Sequence, residues 1–191
     1  MKFIKGRYEE ETVRFFEDNV KKGFVCYDIG GHVGYMSLIL AKLTGNDGQV
    51  IVFEPRPINI SYIEKHISVN NISNVRLLTI GLSAYKGTAT FDIEKGTGTG
   101  RISEGGTLTI EVDSLDNLFE KGDLNPPNFI KMDIEGEELK ALKGSEKVLN
   151  RFKPILNIST HGAEIHKSCI DYVRQIGYSN IDEIKGGFTA C

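Results

Sequence analysis

The spacing of apolar and polar positions changes repeatedly along the chain, and each change marks an element. A helix is predicted over residues 8 to 21, where Val13, Phe16 and Val20 share a face, and Gly23 ends it. Residues 24 to 30 form a short, nearly continuous apolar run, as a parallel strand covered on both faces requires. Val33, Met36, Leu40 and Leu43 then recur at helical spacing up to the turn Gly45-Asn46-Asp47-Gly48. The unit repeats in strand 49 to 54, a helix opened by Pro55 and Pro57 with Ile60, Ile63 and Ile67 on its inner face, and a third strand over 75 to 80.

Residues 83 to 113 break this rhythm. Two alternating segments, Thr88 to Ile93 and Thr107 to Val112, flank the glycines of 96 to 100 and 105 to 106, which predicts an antiparallel excursion with a mobile tip. The α/β alternation then returns as strand 128 to 134, a helix over about 136 to 150 carrying Leu139, Leu142 and Leu149, and strand 154 to 160. A helix over 163 to 176 carries Ile165, Cys169, Val173 and Ile176, and residues 178 to 191 supply one or two closing strands. Strands alternating with helices imply an α/β fold: a mainly parallel sheet between two helical layers, a three-layer sandwich whose ligand crevice lies at the carboxyl ends of the strands.

A chain of 191 residues, 40% of them hydrophobic, is expected to form one domain over residues 1 to 191. A net charge of -3 offers no basic excess for a nucleic-acid backbone, so the expected partner is a small molecule. No apolar stretch approaches the roughly 20 residues of a membrane span, and Glu9, Glu10 and Glu11 stand where a signal core would run, so the expected location is cytoplasmic. Cys26, Cys169 and Cys191 have neither disulfide nor metal spacing; Cys26 reads as a buried strand residue and Cys169 as part of a helix's apolar stripe.

The first candidate chemistry is the turn Asp28-Ile29-Gly30-Gly31-His32-Val33-Gly34. Gly30 and Gly34 flank a strand-to-helix junction, where backbone can approach a ligand and helix amides point outward. A dinucleotide fingerprint would need glycine where His32 stands, which weakens a nicotinamide-dependent oxidoreductase reading. S-adenosylmethionine carries no phosphate and tolerates a side chain there; Asp28 could attract its ammonium or order its waters. Glu54, 20 residues after Gly34 at the end of the second strand, is placed to accept both ribose hydroxyls. The blander alternative is a tight turn beside a solvated strand end, with His32 shaping the turn.

A second constellation lies in Phe129-Ile130-Lys131-Met132-Asp133-Ile134-Glu135-Gly136, where a period of two places Lys131, Asp133 and Glu135 on one face. Lys131 reads as the internal ion-pair partner of Asp133, with Asp133 and Glu135 facing the crevice. The next strand delivers His161 to the same edge, as a proton acceptor or as a cap on the following helix. Asp133, Glu135 and His161 could also hold a divalent metal, but nothing in their spacing fixes that geometry and no metal is assigned. His66 and His166 read as surface residues. Asn125-Pro126-Pro127-Asn128 precedes its strand and lacks an aromatic, so it reads as a rigid loop and not as the Asn-Pro-Pro-aromatic signature of base methylation.

Together these segments resemble the FkbM family of class I methyltransferases, over about Gly6 to His161. The resemblance rests on Tyr27 to Tyr35, Val52-Phe53-Glu54-Pro55, Gly81-Leu82-Ser83, Val112 to Asp116 and, most specifically, Ile130 to Gly136. It implies a Rossmann-like, seven-stranded sheet whose last strand is antiparallel, S-adenosylmethionine as methyl donor, and O-methylation of a hydroxyl on a sugar or small molecule. It assigns Asp28, Gly30 and Glu54 to the cofactor and Gly81, Leu82 and Ser83 to the adenine side; beside them, Gly31, His32, Gly34, Tyr35, Pro55 and Asp133 are further candidate cofactor contacts, and Asp133, Glu135 and His161 are the candidate catalytic residues. His32 replaces the family's usual asparagine, and Ser159 stands where an acidic residue commonly precedes the final histidine. These departures keep a non-catalytic cofactor-binding module open as an alternative, and a homodimer could complete the acceptor pocket.

Overall fold

A computed structural model describes residues 9–93, 100–102, 106–122 and 124–191. Most of the glycine-rich tip expected within 83 to 113 lies outside these residues. The main sheet has seven strands: β1 (Val25–Ile29), β2 (Gln49–Phe53), β3 (Val75–Leu78), β8 (Phe129–Met132), β9 (Ile155–Ser159), β10 (Ile181–Ile184) and β11 (Gly187–Ala190). Their order is β10-β11-β9-β8-β1-β2-β3. All neighbours run parallel except β11, which is antiparallel to both β9 and β10, as expected for the last strand.

Alternation along the strands divides the core. Cys26, Val50, Val52 and Phe129 face one side and pack with Phe16, Met36, Leu40 and Ile63 from α1 (Glu10–Asn19), α2 (Tyr35–Thr44) and α3 (Pro57–Val69). Tyr27, Ile29, Ile51, Phe53, Ile130 and Met132 face the other side and meet Leu142, Leu149, Cys169 and Val173. Those residues come from α5 (Glu138–Lys143), α6 (Glu146–Phe152) and α7 (Ala163–Gln175). Two apolar clusters on opposite faces of one sheet are the three expected layers. Cys26 and Cys169 are both buried, as their patterns imply.

The excursion is a second sheet, in the order β4-β7-β5-β6, built from β4 (Gly81–Leu82), β5 (Gly87–Ile93), β6 (Gly100–Ile102) and β7 (Leu108–Asp113). β5 is antiparallel to β6 and β7, but β4 pairs in parallel with β7, closing the base of the excursion. The single helix expected over 136 to 150 is two. Gly144 lies at the join, where a Cβ would lie 2.1 Å from the carbonyl oxygen of Ser83, and the second helix starts with its Lys147 and Val148 amides donating to the Asp116 carboxylate. A short helix, α4 (Leu115–Glu120), was not legible as a periodic run; Ser114 caps it by accepting from the Asn117 amide at 3.2 Å.

Asn125 to Asn128 forms the rigid lead into β8. Asn128 donates its amide to the Val25 carbonyl and accepts from the Val25 amide through Oδ1, both at 2.8 Å, while the Tyr27 hydroxyl donates to the Asn125 carbonyl. His66 and His166 are less exposed than expected. His66 meets the Val33 carbonyl at 2.8 Å, and His166 lies between Thr160 and Glu183.

Across β1 and β8 the register sets Lys131 beside Asp28, both buried. Lys131 Nζ lies 3.0 Å from Asp28 Oδ1, so its ion-pair partner is Asp28 and not Asp133; adjacent parallel strands hold the two side by side, whereas Asp133 lies two residues along the same strand. Lys131→Met would strand the Asp28 carboxylate in the core, and we expect denaturant unfolding to report a loss of about 3–5 kcal/mol. Adding Asp28→Asn should restore part of that loss.

Candidate active site

β1, β2, β8 and β9 all end at one edge of the sheet, and the two constellations meet there. The amides of Gly30 and Gly31 both donate to the Phe53 carbonyl, at 2.9 and 3.2 Å, tying the turn to the end of β2. Gly30 has φ +81°, and a Cβ on it would lie 2.0 Å from the Asp133 carbonyl oxygen. The turn is therefore pressed against the end of β8 as well. His32 follows at φ +50°, unusual for a residue with a side chain, and turns its amide onto Glu54 Oε2 at 2.8 Å. Gly34, at φ +88°, begins α2.

Glu54 is 5% exposed, so its orientation is fixed almost entirely by protein groups. Besides His32, the Arg56 amide donates to Oε1 at 2.9 Å and Asn59 Nδ2 at 3.2 Å. Burial raises its pKa above 4.5 against these donors. A carboxylate offers about four acceptor sites; three are taken here, and one remains on Oε2. Lys131 stands behind the turn, donating to the Gly30 carbonyl at 2.9 Å while pairing with Asp28. Burial pulls the Lys131 pKa down, but Asp28 and then Asp133 outweigh it and the net shift is upward. Asp28 Oδ2 also accepts from the Ser37 hydroxyl at 2.5 Å.

Between the glycine turn, Glu54 and the second sheet lies a cleft of about 410 Å³. Gly30, Gly31, His32, Tyr35, Glu54 and Pro55 line one part of it, and Gly81, Leu82, Asp133 and Glu135 another. Four expected site residues do not line it. Asp28 is fully buried behind the turn, Gly34 faces Ile63, Ser83 is buried under Gly144, and His161 lies behind the two acids. Asp28 thus supports the turn through Lys131 and has no surface with which to meet a ligand's ammonium directly.

Asp133, Glu135 and His161 do converge. His161 Nε2 lies 3.6 Å from Asp133 Oδ1 and 3.3 Å from Glu135 Oε2, and Nδ1 lies 2.9 Å from Glu138 Oε1. The Glu138 hydrogen bond and the charges of Glu135 and Asp133 raise the imidazole pKa from 6.5 to about 9. Glu138, fully buried, was missed by sequence reasoning; its oxygen also accepts from the Gly136 amide at 3.0 Å, holding the bend in which Glu135 and Gly136 both take positive φ. The available signal was a second carboxylate in the first turn after Gly136, where a helix start attracts negative charge. Also missed were Asn59, one turn into α3, and Phe91, Ile102 and Ile110, which line the cleft from the second sheet.

A mainly parallel seven-stranded sheet with this strand order, and a cleft at its carboxyl edge, defines a Rossmann-like class I methyltransferase fold. The sequence profile of the Methyltransferase FkbM domain matches residues 28–179, and the chain belongs to that family. It is 30% identical over 145 residues to the hexuronic acid methyltransferase AglP of Haloferax volcanii, a match covering 75% of this chain and 59% of that protein. The crystal structure of an FkbM methyltransferase from Methylobacillus flagellatus aligns with a TM-score of 0.65 at 20% identity, over 93% of this chain and 49% of that one. An O-methyltransferase from Thermotoga maritima aligns at 0.61 and 12% identity, over 95% and 57%. A Streptococcus mutans protein in complex with S-adenosylhomocysteine aligns at 0.59 and 14%, over 95% and 93%. The chain thus spans 59% of its curated relative and 49% of the Methylobacillus flagellatus structure. Among the described residues no helix is long and apolar enough to cross a membrane.

The pressed turn yields a paired prediction. Gly30 and Gly45 both have positive φ, but a Cβ on Gly45 meets nothing within 4 Å. Thermal unfolding should show Gly45→Ala costing about 1–3 kcal/mol from backbone strain alone, since φ +66° with ψ −175° is nearly reserved for glycine. Gly30→Ala should cost about 2–4 kcal/mol, because the clash adds to the strain.

Proposed function

We propose that this chain is an S-adenosylmethionine-dependent methyltransferase acting on a hydroxyl of a sugar or related small molecule. The observation that carries the reading is Glu54, a buried carboxylate oriented by three donors at the mouth of a cleft floored by the Gly30-Gly31 turn. The donor set fits the cofactor. Glu54 keeps one acceptor site, on Oε2, for a ribose hydroxyl, Asn59 Oδ1 has no partner among the described residues, and Leu82 offers an apolar wall on the side assigned to adenine. FkbM membership and the fold shared with a protein bound to S-adenosylhomocysteine support the same choice. The name of the Haloferax volcanii relative supports a carbohydrate acceptor.

S-adenosylmethionine, when bound, supplies an electrophilic methyl group. The chain's own work is then to position the acceptor, exclude water and receive a proton. Phe91, Ile102 and Ile110 wall the cleft with apolar surface opposite the glycine turn. Asp133 and Glu135 both reach the cleft, so the hydroxyl proton passes to one of them, while His161 holds the two acids from behind.

Calorimetry with S-adenosylhomocysteine tests the reading. The unaltered chain should bind it, and Glu54→Ala should weaken binding at least about 10-fold, the loss expected when one hydrogen bond to a charged group disappears. Absence of binding by the unaltered chain would remove the proposal. Asp133→Asn should leave affinity within a few-fold and slow methyl transfer to a sugar acceptor.

A pH dependence follows with a definite sign. Burial penalises the charged form of Glu54, so the cost to stability is full at neutral pH and is relieved as pH falls through the raised pKa. Ligand binding runs the other way, because ribose hydroxyls donate to the carboxylate. Affinity for S-adenosylhomocysteine should begin to fall at a pH above 4.5, and Glu54→Gln should flatten that dependence.

A further inference from the structure

The geometry points to a divalent-cation site formed by Asp133, Glu135 and His161, with Glu138 holding the imidazole from behind. Its use as an acceptor-binding site rests on the methyltransferase reading of the cleft. One atom from each of the three residues lies within 4.8 Å of the others, and the imidazole nitrogen is 3.3 and 3.6 Å from the two carboxylate oxygens. Ligand atoms about 2.0–2.2 Å from one ion stand about 3–3.5 Å apart in tetrahedral or octahedral sites, so only small movements close this triangle onto a cation. The donor set is mixed, one imidazole and two carboxylates, which suits a first-row divalent ion such as Mn2+ better than a site of carboxylates alone would.

A second observation comes from behind the ring. Glu138 is fully buried, and its Oε2 has no hydrogen-bond partner among the described residues, although Oε1 meets His161 Nδ1 at 2.9 Å. A buried carboxylate with one oxygen unmatched needs positive charge nearby. A cation on Nε2 supplies it through the ring, since a metal-bound imidazole donates more strongly from its other nitrogen; this carboxylate-histidine-metal relay is common at metal sites. The arrangement also directs Nε2 between Asp133 and Glu135, where a cation would take the place of the ring proton that the carboxylates otherwise hold there.

The position gives the cation a use. Asp133 and Glu135 line the cleft and His161 does not, so the protein ligands would cover one side of the ion and leave its remaining positions toward the cleft. An acceptor hydroxyl, with a neighbouring hydroxyl or carboxylate of a sugar, matches the oxygen ligands such positions take. The acceptor would thereby be held at an acidic edge that otherwise repels an anionic sugar.

The test uses the chain stripped of metal by a chelator and titrated with Mn2+, following the paramagnetic resonance signal of free Mn2+. One equivalent should be bound per chain. His161→Ala, at a partly exposed side chain, should weaken binding at least tenfold, and Glu138→Gln, which keeps a hydrogen-bonding group at the position, about 10- to 100-fold. His166→Ala should leave binding unchanged. An undiminished free signal with the unaltered chain, or equal affinity in His161→Ala, would overturn the site and leave the triad as an ion-pair cluster only. Because S-adenosylhomocysteine binding is measured separately on the metal-free chain, the two readings fail apart. Cofactor binding without Mn2+ removes the cation alone, and Mn2+ binding without cofactor keeps the cation site while removing the methyltransferase reading.

Discussion

The contact between Lys131 and Asp28 organises the working edge of this protein. One ammonium, buried between adjacent strands, pairs with the carboxylate that ends β1 and donates to the carbonyl of the glycine that follows. Charge in the core is costly unless it is paired, so β1 and β8 are held in one register and the Gly30 turn in one place. From that fixed point the Gly30 and Gly31 amides reach the end of β2, His32 reaches Glu54, and Asp133 emerges from β8 beside the turn. Three strand ends are thus located relative to one another by one buried ammonium.

Much of the layout was legible in the chain, for reasons that differ from element to element. Parallel strands buried on both faces announce themselves as apolar runs, and the helices of the first layer keep a regular stripe, so β1, α2, β2 and α3 fall where periodicity places them. The helix after Gly136 was misread because its second half starts against the Asp116 carboxylate, a partner distant in sequence that no local pattern records. α4 was missed because six residues are too few to show a period.

In the site, Glu54 stood out because a strand end and a carboxylate coincide. The partner of Lys131 could not be read, since a period of two tells which face a side chain takes and not which neighbouring strand it meets. The same blindness hid Glu138. Its importance lies in reaching back to the Gly136 amide and across to His161, contacts that exist only once β8, β9 and α5 are assembled. Asp28 illustrates the opposite error: an acid beside a glycine turn invites assignment to the ligand, yet its carboxylate belongs wholly to the interior.

Gly144 bears on how this scaffold can vary. Its carbonyl accepts from the Asp116 amide, its missing side chain admits the Ser83 backbone, and the carboxylate of Asp116 receives the Lys147 and Val148 amides. Both feet of the second sheet, near residues 83 and 116, are therefore fastened to one bend on the far side of the molecule from α1. An insertion or deletion between those feet would change the apolar wall that Phe91, Ile102 and Ile110 give the cleft while leaving the hydrogen bonds that seat Glu54 in place. The wall of the cleft and the seating of its carboxylates are, in that sense, separable parts, joined at a residue whose contribution is the absence of a methyl group.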